Sequence, residues 1–168
     1  MRVFVEKQWF NQWWLHLLTT IPCFGFLIYV CIKWFLHEHS VDKVGPYDYD
    51  SQILVIVLLV ATLLLIFMFK LYIEIDEKGI QYKFFPFHRT MKLITWNEIE
   101  NCQTRTYRPI SEYGGWGYKI GMGGTAFNVK GNQGIQIKLK NGKNILLGTQ
   151  KPKEAQLVIN KYFNNEGI

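Results

Sequence analysis

The sequence predicts an α+β membrane protein in which a two-helix transmembrane hairpin precedes a small antiparallel β-sandwich or barrel with a C-terminal capping helix. Two long apolar segments precede residue 70, and short alternating segments follow it. Charge divides at the same point, because residues 1–69 hold 4 basic and 5 acidic side chains whereas residues 70–168 hold 15 and 8. We therefore divide the chain into an N-terminal tail with the hairpin, residues 1–69, and a basic domain, residues 70–168.

The two apolar segments are predicted to be membrane spans. Residues 53–69 are apolar except for Thr62 and reach about 25 Å as a helix. Residues 15–35 are flanked by tryptophans, which favour membrane interfaces. A buried core helix is the alternative for the second segment, and a cleaved signal peptide is the alternative for the first.

Basic residues near the spans predict the topology. Arg2 and Lys7 precede the first span and Lys70 follows the second, whereas the connection between the spans is rich in acidic residues. By the positive-inside rule, both termini of this multi-pass protein are expected in the cytoplasm. The hairpin is expected to lie in the plasma or inner membrane.

Alternating residues after Lys70 predict six or seven short strands. The clearest are two hairpins, 71–75 with 80–84 and 134–139 with 144–148, of which the second turns at an Asn-Gly pair. A C-terminal helix is expected to begin near Pro152 and to cap the open end of the sandwich. Its apolar face consists of Ala155, Val158, Ile159, Tyr162 and Phe163.

Four of these elements resemble a known family. The segments 74–80, 94–99 and 135–147, together with the terminal helix, are similar to the bacterial pleckstrin-homology-like domains found behind transmembrane hairpins. The resemblance covers about residues 70–165 and implies a seven-stranded, strongly bent antiparallel sandwich capped by the helix. The turn 76–79 has two acids before one lysine, so we do not carry over the inositol-phosphate recognition of related eukaryotic domains.

No motif in the chain indicates catalysis. The glycine-dense stretch 114–124 lacks a following Gly-Lys-Ser/Thr, and the three cysteines have no metal-ligand spacing. One metal alternative exists in the connection between the spans, for which the possible ligands are His37, Glu38, His39, Asp42, Asp48 and Asp50. We favour a solvated acidic loop there, and we predict no enzyme activity, no cofactor and no metal.

The function predicted from these features is a membrane-anchored interaction or scaffold module on the cytoplasmic face. An anionic-lipid-sensing or transport-accessory protein is the alternative. Expected partners are anionic lipids of the inner leaflet and either a membrane protein or a second copy of the chain. Nucleic acid is not expected, because the basic residues are scattered rather than gathered on one face.

The segment 105–119 is the predicted interaction site. It combines aromatic residues, glycines and cations, the residue types enriched at binding hot spots. The candidate contacts with a partner or a lipid headgroup are Arg105, Arg108, Tyr113, Trp116 and Lys119. The alternative is that Trp116 points inward as a core plug and the glycines only allow close packing.

Overall fold

The protein forms two compact units in a computed structural model that describes residues 3–10, 13–36, 48–121 and 123–163. The first unit, here the β domain, comprises Met1–Phe10 and Phe69–Ile168. The second, here the helical unit, comprises Asn11–Met68. The two terminal stretches of the chain therefore fold together, and the helical unit is an insertion between them.

The helical unit contains two long helices. Helix α1 spans Trp13–Cys31 and continues as a π-helical segment, Ile32–Leu36, and helix α2 spans Tyr49–Met68. Both helices leave large apolar side chains exposed, among them Ile21 in α1 and Leu54 in α2. Exposed apolar surfaces of this kind mark places where other molecules bind.

The prediction of membrane spans at 15–35 and 53–69 is wrong. Among the described residues, no helix combines the length and the apolar character that crossing a membrane requires. The first turn of α2 is polar, and its apolar part, residues 53–68, is about 24 Å long against a hydrocarbon core of about 30 Å. In α1, Pro22 and the preceding threonines interrupt the apolar run. The predicted multi-pass topology and the predicted plasma- or inner-membrane localisation depended on these spans and are wrong for the same reason.

The first sheet of the β domain has four antiparallel strands in chain order. They are β1 Phe4–Trp9, β2 Lys70–Asp76, β3 Gly79–Phe85 and β4 Lys92–Thr95. The predicted hairpin of β2 and β3 is confirmed. Its turn is closed by Asp76 Oδ1, which accepts hydrogen bonds from the backbone N–H groups of Lys78 at 2.8 Å and Gly79 at 3.2 Å. Gly79 has φ +145°, and a Cβ there would lie 2.1 Å from the Ile94 carbonyl oxygen, so the turn requires glycine.

Strand β1 is an element that the sequence analysis did not include. It pairs with β2 from Phe4 opposite Ile75 to Trp9 opposite Lys70. Its inward side chains include two polar ones, Glu6 and Gln8, and both are buried. Glu6 accepts hydrogen bonds from the Thr149 hydroxyl at 2.6 Å and from the Gln150 N–H at 2.9 Å. These bonds attach the N-terminal strand to the chain beyond the last strand of the domain.

The second sheet has five strands. They are β5 Ile99–Thr106, β6 Gly117–Gly121, β7 Gly124–Asn128, β8 Gln133–Leu139 and β9 Asn144–Gly148, arranged in the order β5-β8-β9-β7-β6. The predicted hairpin of β8 and β9 is confirmed. Two expectations need correction: the described residues from 70 onward form eight strands rather than six or seven, and β7 pairs with β9 in parallel.

The C-terminal helix of the described chain, α4, spans Pro152–Phe163 and covers the sandwich with the face that the sequence predicted. Ala155, Val158 and Ile159 are buried. The rings of Tyr162 and Phe163 lie 6.4 and 6.0 Å from that of Trp96. Helix α4 therefore closes the corner at which the first sheet passes into the second.

Candidate functional site

The predicted site extends from β5 through a short helix into β6. This helix, α3, spans Pro109–Tyr113. Proline suits its first turn because no N–H is needed there, and Gly114 ends it with φ +70°. The Gly114 N–H donates to the Ile110 carbonyl at 2.8 Å. The local sequence therefore specifies both ends of α3.

Helix α3 covers a small apolar cluster on the outer face of the second sheet. Phe127 points towards the first sheet, where its ring lies 5.1 Å from that of Tyr82, so the adjacent Ala126 points the other way. The cluster consists of Tyr107, Tyr113, Ala126 and Leu146. The rings of Tyr107 and Tyr113 meet edge to face at 6.0 Å. Tyr113, a predicted contact residue, is thus buried beneath the site, and its burial raises its pKa.

A buried asparagine joins the two ends of the segment. Asn128 is 0% exposed. Its Nδ2 donates to the Tyr107 hydroxyl at 2.9 Å, and its Oδ1 accepts from the Gly117 N–H at 2.8 Å. Burial raises the pKa of Tyr107 to about 12, so the hydroxyl stays protonated at neutral pH. Asn128 thus holds the residues just before and just after α3 in fixed positions.

A carboxylate holds the helix from the solvent side. Glu112 accepts hydrogen bonds from Arg105 Nη2 and from the Arg108 backbone N–H, both at 2.7 Å. The Arg105 hydrogen bond lowers the pKa of Glu112, and the same bond raises the pKa of Arg105. Arg105 Nε also donates to Gln136 Oε1 at 3.1 Å. The Arg105 guanidinium is therefore occupied by contacts within the domain.

The remaining predicted residues reach the surface. Arg108 is exposed, whereas Trp116 and Lys119 are half-buried. The indole N–H of Trp116 donates to the Gly131 carbonyl at 2.8 Å, which orients the ring against the turn between β7 and β8. Trp116 is thus neither a fully buried plug nor a free side chain. We name Arg108, Trp116 and Lys119 the α3 surface.

Sequence reasoning missed an apolar surface beside β6. Ile120 is 78% exposed and Phe87 is 56% exposed. Tyr118 connects this surface to the core, because its ring stacks on Phe127 at 4.9 Å and meets Phe87 at 5.2 Å. The alternation of Tyr118, Lys119 and Ile120 gave a strand but no sign that the strand lies at the edge of a sheet. We name Phe87, Tyr118 and Ile120 the β6 patch.

His88 lies behind the β6 patch in a cluster of aromatic rings. Its ring is buried against Tyr82 at 5.6 Å and Phe127 at 5.1 Å. Burial lowers the pKa of His88, and the positive charge of Lys92 lowers it further. No ion pair in the described part of the chain involves this histidine. His88 is therefore an uncharged ring in an aromatic cluster at neutral pH.

No group of three or more possible metal ligands comes together among the described residues. Of the alternative ligand set, Asp48 and Asp50 are exposed, and the other four lie outside the described residues: His37, Glu38, His39 and Asp42. In the β domain, burial raises the pKa of the Cys102 thiol to about 12, which leaves it protonated and unsuited to nucleophilic attack.

Comparison of the chain with protein-family models, with curated proteins and with solved structures gives no match. The resemblance to pleckstrin-homology-like domains therefore stays an expectation from the segments that suggested it. The expected partners, the absence of catalysis and the binding role of the five predicted site residues likewise stay predictions.

Proposed function

We propose that the β domain is a non-catalytic protein-interaction module that binds through the α3 surface. The observation that carries this proposal is that α3 is held from both sides while Arg108 and Trp116 remain accessible. On the side that faces the sheet, α3 packs on the tyrosine cluster, and Asn128 binds the residues that flank it. On the solvent side, Glu112 ties α3 to Arg105.

Rigidity of this kind favours binding. A surface that is already ordered loses little conformational freedom when a partner docks, so more of the contact energy appears as affinity. Arginine and tryptophan are the residue types most enriched at binding hot spots. On the α3 surface, Arg108 directly precedes the short helix and Trp116 follows it by three residues, so both lie in short connections beside a helix with fixed ends rather than in a long loop.

The charge of the α3 surface indicates an acidic partner. Glu112 is paired with Arg105 and accepts a hydrogen bond from the Arg108 backbone N–H, and the positive charge of Arg108 adds to the lowering of the Glu112 pKa. The Arg108 guanidinium makes no hydrogen bond or ion pair with other described residues. It is therefore available to a carboxylate of a partner, which a guanidinium can bind through two hydrogen bonds. The excess of basic residues after Lys70 adds long-range attraction for the same partner.

Co-purification from the native cells, quantified by mass spectrometry, tests the proposal. The wild-type chain is compared with Arg108→Ala and Trp116→Ala, and Lys153→Ala on the exposed side of α4 is the matched control. We expect both α3 variants to lose the same protein by at least about tenfold, which corresponds to about 1.4 kcal/mol. The control should keep it.

Two results would contradict the proposal. One is a folded Arg108→Ala or Trp116→Ala chain that retains every wild-type partner. The other is loss of partner only in variants whose thermal unfolding midpoint has also fallen, which would mean that the residues act through the fold. Vesicles with and without anionic lipid, added to the same chains, test the expectation of a lipid partner separately.

A further inference from the structure

We propose that β6 is a docking edge at which an extended segment of another protein adds a sixth strand to the second sheet. The segment would place apolar side chains against the β6 patch and a carboxylate opposite Lys119. This inference rests on the proposed interaction function and specifies the conformation and the chemistry of the partner.

The two edges of the second sheet differ. At one edge, β5 is covered by α4, whose Gln156 Oε1 accepts hydrogen bonds from the Thr104 N–H at 2.7 Å and from the Thr104 hydroxyl at 2.9 Å. At the other edge, β6 pairs with β7 alone among the described strands. Every second backbone N–H and C=O of an edge strand points away from its neighbour, so β6 can form a further ladder of hydrogen bonds.

The apolar face of β6 continues the core and is only partly covered. Phe127 lies between the sheets, Tyr118 stacks on Phe127, and Phe87 covers part of Tyr118. Ile120 lies two residues further along the same face and is mostly exposed. A strand beside β6 would bury Tyr118 and Ile120 with alternate side chains, which is how strand addition gains specificity.

The opposite face of β6 selects the charge of the added strand. Lys119 forms no ion pair with any described residue, and the carboxylate of Glu112 in the preceding helix is paired with Arg105. A carboxylate directly across the ladder would complement Lys119. A second copy of the chain, paired antiparallel about the middle of β6, would instead set two Lys119 side chains against each other. The edge is therefore better suited to an acidic segment of another protein than to self-association.

Two synthetic peptides test the inference with the full chain. The Glu peptide is acetyl-Ser-Val-Thr-Val-Glu-Val-Thr-Val-Ser-amide, and the Lys peptide has lysine in place of its glutamate. We expect the Glu peptide to bind at least about threefold more tightly than the Lys peptide. Lys119→Glu should reverse this preference, and Lys119→Gln should abolish it. Lys153→Glu, which changes net charge equally at a distant exposed site, should leave the preference unchanged.

Two further measurements test the apolar contact at Ile120 and the location of the bound peptide. Ile120→Ser should weaken the Glu peptide by at least about tenfold, whereas Leu157→Ser, at an exposed apolar residue beside the covered edge, should not. Hydrogen exchange should show new protection within Gly117–Gly121 when the Glu peptide binds, with no change in Ile99–Thr106.

Several results would overturn the inference. They are equal binding of the two peptides, a preference that Lys119→Glu does not reverse, no binding of either peptide, or protection that appears away from β6. A dimer that Ile120→Ser converts to a monomer would assign the edge to a second copy. If the peptides fail while Arg108→Ala still loses the cellular partner, the proposed function stands without the strand-addition mode. If the peptides bind while both α3 variants retain the partner, the edge stands and the α3 surface is wrong.

Discussion

Removal of the Asn128 side chain should loosen the α3 surface more than any exposed substitution in it. Asn128→Ala leaves two buried groups without partners, the Tyr107 hydroxyl and the Gly117 N–H. Each buried group that loses its partner costs about 1–3 kcal/mol, so we expect a loss of about 2–6 kcal/mol in the free energy of unfolding. Asn97→Ala, at an exposed asparagine, is the control and should cost less than about 0.5 kcal/mol.

A double-mutant cycle separates the two bonds. Tyr107→Phe alone leaves Asn128 Nδ2 unpaired, whereas Tyr107→Phe combined with Asn128→Ala leaves only the Gly117 N–H unpaired. The double variant should therefore be more stable than the sum of the single losses predicts, by about 1 kcal/mol or more.

These free energies are measured for the β domain by unfolding the full chain in urea. Hydrogen exchange of the amides within Gln133–Leu139 monitors the unfolding. That strand includes Ile135 and Ile137, both fully buried, so its amides report unfolding of the domain rather than of the helical unit. Losses that add within about 0.5 kcal/mol would refute a shared buried network, as would an Asn128→Ala variant no less stable than Asn97→Ala.

Three further predictions concern the elements that support the site. Glu6→Ala should lower the free energy of unfolding by about 2–4 kcal/mol, because the Thr149 hydroxyl and the Gln150 N–H both lose their acceptor; a loss no greater than that of Glu77→Ala, at an exposed acid, would contradict the attachment of β1. Ile159→Ala should lower the free energy of unfolding in urea by about 2–5 kcal/mol, as for a buried isoleucine. Leu157→Ala, at an exposed residue of the same helix, should lower it little. Equal losses would show that α4 does not cover the core. The pKa of Glu112 is lowered in the folded state, so the stability that it contributes is complete above the ordinary carboxyl pKa of about 4.3 and is lost as the pH falls through the lower folded value. The stability difference between wild type and Glu112→Gln should therefore shrink between about pH 5 and pH 3, and a difference that does not change with pH would contradict the Arg105 pairing.

Elements held by near neighbours were predictable from the sequence. Alternation and turn residues gave the β2–β3 and β8–β9 hairpins, and helical spacing gave the buried face of α4. Strand β1 was not predicted from the sequence. Its partner β2 lies beyond the helical unit, and Glu6 and Gln8 occupy its inward positions. Alternation of apolar and polar residues cannot identify a strand whose buried side chains are polar.

Apolar content misled the interpretation of the helical unit. The two helices lie where the apolar segments predicted helices, but apolar composition alone does not supply the uninterrupted length that a membrane span needs.

The site shows a similar limit. The residue types of 105–119 were identified from the sequence, yet the Arg105–Glu112 pair and the burial of Tyr113 depend on helix α3, which the sequence analysis did not predict. The order of strands in the second sheet, which leaves β6 at an edge, is a property of long-range pairing.

The affinity of Arg108→Ala for the isolated partner tests the central claim most directly, because Arg108 is the most accessible member of the α3 surface. Its dissociation constant and its thermal unfolding midpoint should be measured together with those of wild type and Lys153→Ala. If the α3 surface binds the partner, the dissociation constant of Arg108→Ala alone should be at least about tenfold higher than that of wild type. The unfolding midpoints of all three chains should be the same. Equal dissociation constants for Arg108→Ala and wild type would contradict it.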